Sequence, residues 1–227
     1  MNEEYTLQVI ARIKNNLPDK FGIPRQSGLV STLRSQIIFE PRYRTRDALR
    51  GIEGYSHLWL IWGFSENKRT SWSATVRPPR LGGNKRIGVF ATRSPFRPNP
   101  VGLSCVRLDK VENTKDHGTI LHISGADLMN NTPIFDIKPY LPFTDSHPDA
   151  SGGFTIYTQN YHLDVQCDDT LMQKIPLKDR NTVIELLSQD PRPSYQNDPN
   201  RIYGMNFADI NIRFKVQNNI LTVIEII

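Results

Sequence analysis

The alternation of apolar and polar residues along the chain predicts mainly short β-strands. The most hydrophobic run is residues 55–64, YSHLWLIWGF, which we expect to form the central strand. One short helix is predicted at residues 46–50, with Thr45 as its N-cap and Gly51 after its last residue. Further strands are predicted at residues 5–13, 37–39, 87–93, 103–111, 118–123 and 134–137.

The connections between these predicted strands contain no long helix. A doubly wound α/β sheet needs helical crossovers between its parallel strands, so the pattern excludes that fold class. Seven or more short strands separated by turns are typical of a β-barrel. We therefore expect a mainly β fold with a closed or nearly closed barrel.

A second, smaller unit is predicted after the sequence DSHPDASGG at residues 145–153, which has the composition of a linker. Beyond it the chain becomes acidic, with a helix predicted at residues 179–188 and strands at residues 202–215 and 220–227. The expected organisation is a barrel domain over residues 1–146 and a small α+β domain over residues 154–227.

Composition narrows the class of protein. At 227 residues, with 38% hydrophobic and 22% charged residues, the chain resembles an ordinary soluble globular protein. No apolar run reaches the length of a membrane span, and the acidic N-terminus is unlike a secretory signal. Cys105 and Cys167 are far apart, and the five histidines lack metal-ligand spacing. We expect a cytoplasmic protein without a metal ion.

The distribution of charge is more informative than the net charge of +5. Residues 67–108 contain nine Lys or Arg and no Asp or Glu. Within them, residues 77–104 also contain five prolines and four glycines, which predicts a rigid cationic loop pair. Such a block is typical of proteins that bind a polyanion such as RNA. The alternative is that these cations pair with acids elsewhere in the fold.

Standard catalytic motifs are missing from the sequence: there is no Walker loop, G-x-G-x-x-G, H-E-x-x-H or G-x-S-x-G. Asp127, Asp136 and Asp145 follow predicted strands, where a carboxylate can bind a ribose or accept a proton, although aspartate is also a routine turn residue. Trp72 lies beside the basic block, where it could stack on a base.

Residues 88–104, GVFATRSPFRPNPVGLS, resemble the signature of the TsaA-like (TrmO) family of tRNA methyltransferases. Five further blocks match in the family's order over nearly the whole chain, at residues 24–26, 56–59, 76–84, 136–142 and 190–195. The last block lies in the C-terminal part, as in the two-part bacterial members of the family.

The resemblance implies a homodimer of single-sheet β-barrels that bind S-adenosylmethionine without a Rossmann fold. It implies methylation of the N6 nitrogen of threonylcarbamoyl-adenosine, next to the anticodon of threonine tRNA. It further implies a set of residues that contact the cofactor: Ser27, Gly28, Leu29, Ser65, Glu66, Arg93, Leu103, Ser124, Gly125, Ala126 and Asp127.

Methyl transfer from a sulfonium needs alignment of the two reactants and help with one proton. Asp136 and Asp127 are therefore the candidate catalytic residues. Arg97 is expected to bind the threonine carboxylate of the substrate. Phosphate contacts are expected from Arg77, Arg80, Lys85, Arg86 and Lys138. Two alternatives remain open: a non-catalytic RNA-binding barrel, and a methyltransferase that acts on a small metabolite.

Overall fold

The computed structural model describes residues 3–67, 71–78, 81, 85–157, 159–193 and 198–227. Its strands are β1 (Ala11–Lys14), β2 (Arg34–Phe39), β3 (His57–Gly63), β4 (Thr75–Val76), β5 (Ile87–Gly88), β6 (Val101–Thr114), β7 (Gly118–Ser124), β8 (Pro133–Pro139), β9 (Asp164–Gln166), β10 (Tyr203–Phe207), β11 (Ile210–Gln217) and β12 (Ile220–Ile226). Its α-helices are α1 (Pro142–Asp145), α2 (Asp169–Met172) and α3 (Arg180–Ser188). The predicted mainly β class is confirmed.

Short 3-10 helices occupy several of the connections. They span Pro41–Tyr43, Arg46–Leu49, Ile52–Gly54, Val89–Ala91, Gly153–Tyr157 and Leu177–Asp179. The predicted helix after Thr45 is one of these, although the Thr45 side chain makes no capping hydrogen bond. In the described part of the chain, no helix has the length and apolar character needed to cross a membrane.

Six strands pair in the order β1-β2-β7-β6-β3-β8, and the ring closes where Ala11 on β1 pairs with Ile134 on β8. Alternate residues of each strand point into the ring, as the two-residue period of a strand requires. On β3, for example, Leu58, Leu60 and Trp62 are buried, whereas Trp59 and Ile61 between them are more exposed. The core of the ring comes from these inward positions on all six strands.

A second core lies beneath the four-stranded sheet β10-β11-β12-β9, against which α3 packs. Leu17, Val30 and Leu33, which precede β2, are each about 1% exposed and belong to this C-terminal cluster. The Thr182 side chain on α3 also donates to the Thr32 carbonyl oxygen. The connection from β1 to β2 is therefore fixed by packing against residues far along the chain.

Three predicted strands differ from the structure. Residues 5–10 are not a strand, and Tyr5 is 81% exposed, because β1 pairs only from Ala11 onward. The prediction for residues 87–93 was wrong beyond β5, because the chain turns where Thr92 bonds the Val89 carbonyl oxygen. The predicted strand over residues 202–215 is instead the hairpin β10–β11, turned at Ala208 with φ 49°.

Gly22 allows the β1–β2 connection to approach the C-terminal core. Its φ is +94°, and an added Cβ would lie 2.6 Å from the sulfur of Met205, which is fully buried. We predict that Gly22→Ala lowers the free energy of unfolding by roughly 2–4 kcal/mol, from backbone strain together with overpacking.

Chemical denaturation measures this effect, with Gly51→Ala as the matched control. Gly51 has a similar φ of +89°, but a Cβ there would meet nothing within 4 Å. The control is expected to cost only about 1 kcal/mol, since strain alone remains. Equal losses for the two variants would show that the Met205 contact is unimportant.

Candidate functional site

A chain of buried hydrogen bonds ends on Asp127. Trp62 Nε1 donates to Ser104 Oγ over 2.9 Å, and Ser104 Oγ donates to Asp127 Oδ1 over 2.5 Å. The backbone N–H of Ser27 also bonds the Asp127 carboxylate. The chain thus joins β3, β6, the loop after β7 and the β1–β2 connection at one point.

The sequence of β6 makes room for this arrangement. Trp62 lies opposite Gly102 in the β3–β6 register, and both positions face the interior of the ring. A Cβ on Gly102 would overlap the Trp62 indole, so only glycine lets the ring lie across β6. The indole then reaches Ser104, which is the next inward residue of the strand.

Burial raises the pKa of the Asp127 carboxyl above the usual range for an aspartate. The hydrogen bond from Ser104, the backbone bond from Ser27 and the charge of Arg93 offset only part of that effect. Perturbed carboxyl groups beside a cation are frequent in functional sites. Asp127 is therefore the strongest candidate for a chemical role.

Two glycines bring the β1–β2 connection against the loop after β7. The Gly28 N–H donates to the Gly125 carbonyl oxygen over 2.8 Å. Both residues have positive φ, and a Cβ on Gly125 would lie 3.4 Å from the Gly28 backbone. Arg93 joins them, because its Nη1 donates to the Gln26 side chain. The structure thus brings together Ser27, Gly28, Gly125, Asp127 and Arg93.

The other residues expected to contact the cofactor differ in their exposure and in their hydrogen bonds. Leu29 is 38% exposed beside Gly28, while Ala126 is fully buried. The Ser124 hydroxyl donates to Asp109, so it is already occupied within the fold. Ser65 and Glu66 are exposed just after β3, close to the start of β6 where Phe64 N–H bonds the Pro100 carbonyl oxygen.

Asp136, the other candidate catalytic residue, lies on the opposite face of the sheet. Leu103 and Asp136 both pair with Ile61, so all three side chains point outward, away from Trp62 and Ser104. Asp136 also forms an ion pair with Lys138 over 2.9 Å. The structure therefore separates the two carboxylates, and it leaves Lys138 neutralised by an acid.

The basic residues expected to bind phosphate gather on a small ribbon made by β4 and β5. Arg77 follows β4 and Arg86 precedes β5, and Lys85 is adjacent; all three are exposed. Arg80 lies outside the described residues. Among the described residues, none of Arg77, Lys85, Arg86, Arg93 and Arg97 forms an ion pair.

An exposed aromatic pair lies beside this ribbon. Trp72 and Phe90 are 52% and 73% exposed, and their rings stack with centroids 6.4 Å apart. Large aromatic side chains left in solvent beside cations are typical of surfaces that stack single-stranded bases.

The described residues offer neither a metal-binding cluster nor an activated thiol. They contain no cluster of three or more His, Cys, Asp or Glu that could hold a metal ion. Cys105 and Cys167 are free, and burial raises the pKa of both thiols, which disfavours the nucleophilic thiolate.

Comparison with known proteins gives the same family over both parts of the chain. Residues 12–146 match the family model "tRNA-methyltransferase O N-terminal domain", and residues 160–227 match "TrmO C-terminal domain". This chain belongs to the TrmO family.

Relatives of TrmO type cover most of the chain. A protein of Escherichia coli named tRNA (adenine(37)-N6)-methyltransferase is 40% identical over 220 residues, which is 93% of each chain. One of the same name from Eikenella corrodens is 42% identical over 72% of this chain and 92% of its own. The crystal structure of TrmO from Pseudomonas aeruginosa superposes with a TM-score of 0.78 at 28% identity, covering 99% of this chain and all of that one.

Sequence reasoning missed several parts of this TrmO-family site. Trp62 lies in the core, as its apolar strand predicts, but its bond to Ser104 was not foreseen, and Ser104 and Gln26 were given no role, although both lie within matched motifs. The available signal was the pair Gly102 and Ser104, which are small or polar residues at buried positions that alternate with Leu103 and Cys105. A buried serine needs a hydrogen-bond partner, and here that partner is Asp127.

We predict that Asp127→Asn stabilises the protein at neutral pH. The raised pKa means that stability from the protonated carboxyl is present at low pH and is lost as pH rises through the folded-state pKa. Asparagine removes that loss, so the variant should gain in melting temperature above the usual aspartate range and match the wild type well below it.

Thermal unfolding across pH 3–8 measures this difference, and Asp136→Asn is the matched control on the outer face. The control removes a carboxylate from an exposed ion pair, so it should bring no gain at neutral pH. A lower melting temperature for Asp127→Asn at pH 8 would contradict the burial argument.

Proposed function

We propose that this chain transfers a methyl group from S-adenosylmethionine to the N6 nitrogen of threonylcarbamoyl-adenosine at position 37 of threonine tRNA. The relatives named tRNA (adenine(37)-N6)-methyltransferase support this proposal. The observation that carries it is the half-buried carboxylate of Asp127, around which four other residues assemble: Ser27, Gly28, Gly125 and Arg93.

The residues of this cluster fit the chemistry of the cofactor. Asp127 supplies a carboxylate beside the cofactor, and Arg93 supplies a guanidinium for the carboxylate of S-adenosylmethionine. Gly28 carries no side chain, and a Cβ there would meet nothing within 4 Å, so its backbone is open to a ligand. When bound, the cofactor supplies an activated methyl group on a sulfonium.

We assign to the Asp127 carboxylate the role of general base, which accepts the proton from the acceptor nitrogen. The acceptor nitrogen loses a proton on methylation, and a base works best when its pKa approaches the working pH. Burial moves the pKa of Asp127 in that direction. The bonds from Ser104 and Ser27 hold the carboxylate in one orientation, as a base with a defined target requires.

The ribbon and the aromatic pair suit the RNA. Arg77, Lys85 and Arg86 provide cations that are not paired with acids among the described residues, which favours phosphate contacts. Trp72 and Phe90 provide a surface for an unstacked base of the anticodon loop. We assign the threonine carboxylate to Arg97, which lies half-buried beside Arg93 in the same turn.

The architecture that we propose has a catalytic barrel over residues 1–146 and a separate C-terminal unit over residues 154–227. The closed ring of six strands would be the single-sheet, non-Rossmann barrel that binds the cofactor. A homodimer in the cytoplasm completes the proposal. In support of a second copy, Leu103 is 53% exposed beside Ile61 on the outer face of the ring.

The function is tested with purified protein, S-adenosylmethionine and threonine tRNA with or without the threonylcarbamoyl group. We expect one added methyl on the modified nucleoside and none on unmodified adenosine, measured by mass spectrometry of nucleosides. Asp127→Asn should lose at least about a hundredfold in rate, the lower range for a general base, whereas Asp136→Asn should not.

Binding measurements separate the two alternatives from the proposed function. A non-catalytic RNA-binding barrel would bind tRNA without binding S-adenosylmethionine in calorimetry. A methyltransferase for a small metabolite would bind the cofactor, but its tRNA affinity would lack the steep fall with salt that phosphate contacts produce. Either result would refute the proposal.

Arg97→Ala separates the substrate contact from the cofactor contact. Losing a charged hydrogen bond to a carboxylate should lower kcat/KM on modified tRNA by about tenfold or more. The affinity for S-adenosylmethionine should stay within about twofold, because we assign that contact to Arg93.

The result depends on how Arg97 is held. Its Nη1 donates to the Thr92 carbonyl oxygen over 3.1 Å, so it also supports the turn that carries Arg93. Equal losses of cofactor affinity and turnover would place Arg97 in a purely structural role. Arg86→Ala is the matched control for Arg97→Ala, because it also removes one arginine, on the ribbon.

A further inference from the structure

A second cleft lies between the β1–β2 connection and the turn that follows α3, with a volume of about 290 Å³. Its walls include apolar side chains on both sides, Phe21 and Ile23 on one and Pro191 and Pro193 on the other. The cleft is separate from the Asp127 cluster, and no role has yet been given to it.

The charge lining this cleft is positive. Lys20, Arg25 and Arg192 line it, and Asp190 is the only acid there among the described residues. Arg192 already neutralises that acid, because its Nε and Nη2 donate to the two oxygens of Asp190 over 2.8 and 3.0 Å. Tyr161 donates to Asp190 as well. Among the described residues, the charge of Lys20 is therefore not neutralised by an acid.

Arg192 has a further donor that the described residues leave unsatisfied. Its side chain is only 10% exposed, and its Nη1 is buried without a hydrogen-bond partner in the part of the chain that the structure describes. A buried N–H without an acceptor is costly, and such a group requires an explanation. An acceptor from outside the protein would remove the cost.

The turn that carries Arg192 is held rigidly. Asp190 has φ 52°, a left-handed conformation that costs free energy for a residue other than glycine. Pro191 and Pro193 fix the backbone on either side of Arg192. Arg25 Nη2 donates to the carbonyl oxygens of both Asp190 and Arg192. Strain maintained in this way is typical of ligand-binding turns.

The cleft is connected to the candidate methyl-transfer site by direct bonds. Lys20 Nζ donates to the Glu66 carbonyl oxygen over 2.9 Å. Arg25 lies next to Gln26, which accepts from Arg93, and Ser27 follows with its bond to Asp127. A molecule in the cleft and one beside Asp127 would thus contact the same short segment of chain.

We propose that this cleft binds a backbone phosphate of the tRNA substrate, since the threonine carboxylate of the modified nucleoside is assigned to Arg97. Arg192 and Lys20 donate to the oxygens, and the proline and phenylalanine walls cover the adjoining ribose or base. The inference rests on the proposed function, since it takes tRNA as the ligand. It gives the C-terminal unit a part in substrate recognition.

The test uses three variants of the full chain. Lys20→Ala removes an exposed cation of the cleft, and Arg192→Lys keeps the charge but loses the planar fork that serves Asp190 and a ligand together. Lys178→Ala is the matched control, because Lys178 is exposed on the same C-terminal unit but does not line the cleft. Melting temperatures establish folding, and Lys20→Ala carries the test if Arg192→Lys is unstable.

Affinity for the anticodon stem–loop of threonine tRNA is then measured at several salt concentrations, with and without the threonylcarbamoyl group. Lys20→Ala and Arg192→Lys should each bind about tenfold more weakly than Lys178→Ala, with unchanged affinity for S-adenosylmethionine. A loss on both RNAs, with a salt slope lower by about one, identifies a phosphate. A loss confined to the modified RNA would instead move the threonine carboxylate from Arg97 to this cleft and contradict the phosphate assignment.

Wild-type affinity for both RNAs in the two cleft variants would overturn the inference, and so would an equal loss of cofactor affinity in Lys20→Ala. Failure of the proposed function is a separate result. In that case the wild-type chain would add no methyl group to modified tRNA, whatever the binding data show.

Discussion

The bond from the Gly28 N–H to the Gly125 carbonyl oxygen is the contact on which the candidate site depends. It joins two segments at a point where both residues adopt positive φ, a conformation that glycine reaches at the least cost. On one side of this contact, Ser27 bonds Asp127, and on the other side Leu33 accepts from the Gly125 N–H. Moving either backbone by a side-chain radius would separate Ser27 from Asp127.

The same connection is anchored in the C-terminal core, so residues from both parts of the chain determine its position. Leu17, Val30 and Leu33 are buried among the side chains of α3 and the four-stranded sheet. Burying the side chain of each of them stabilises the fold by roughly 1.5–3 kcal/mol relative to leaving it exposed to water. That packing holds residues 20–28 in place, so the position of Ser27 is set by a sheet whose first strand in the sequence begins only at Asp164.

How much the sequence predicts depends on the kind of signal. Strongly apolar strands such as β3 and β7 were predicted because alternation and length agree, and the resemblance to the family singled out Asp127 and Arg93 as candidates. The strand expected over residues 87–93 failed because its partner β4 is only two residues long. The Trp62–Ser104–Asp127 chain joins three segments that are distant in sequence, and periodicity within a segment carries no information about such a contact. The C-terminal packing of Leu17 was hidden for the same reason.

Alternation along β6 explains how one strand can serve two surfaces. Gly102 and Ser104 face the interior and the Asp127 chain, whereas Leu103 and Cys105 face outward with Ile61 and Trp59. The prolines before β6 and the Arg97 bond to Thr92 then fix the turn through which the chain enters the strand. The cations of the ribbon are exposed and remain solvated, so leaving them without acids costs little in the free protein. Their unpaired charge is therefore available for a polyanion, and it sits on the segment that also carries Arg93 to the carboxylate of Asp127.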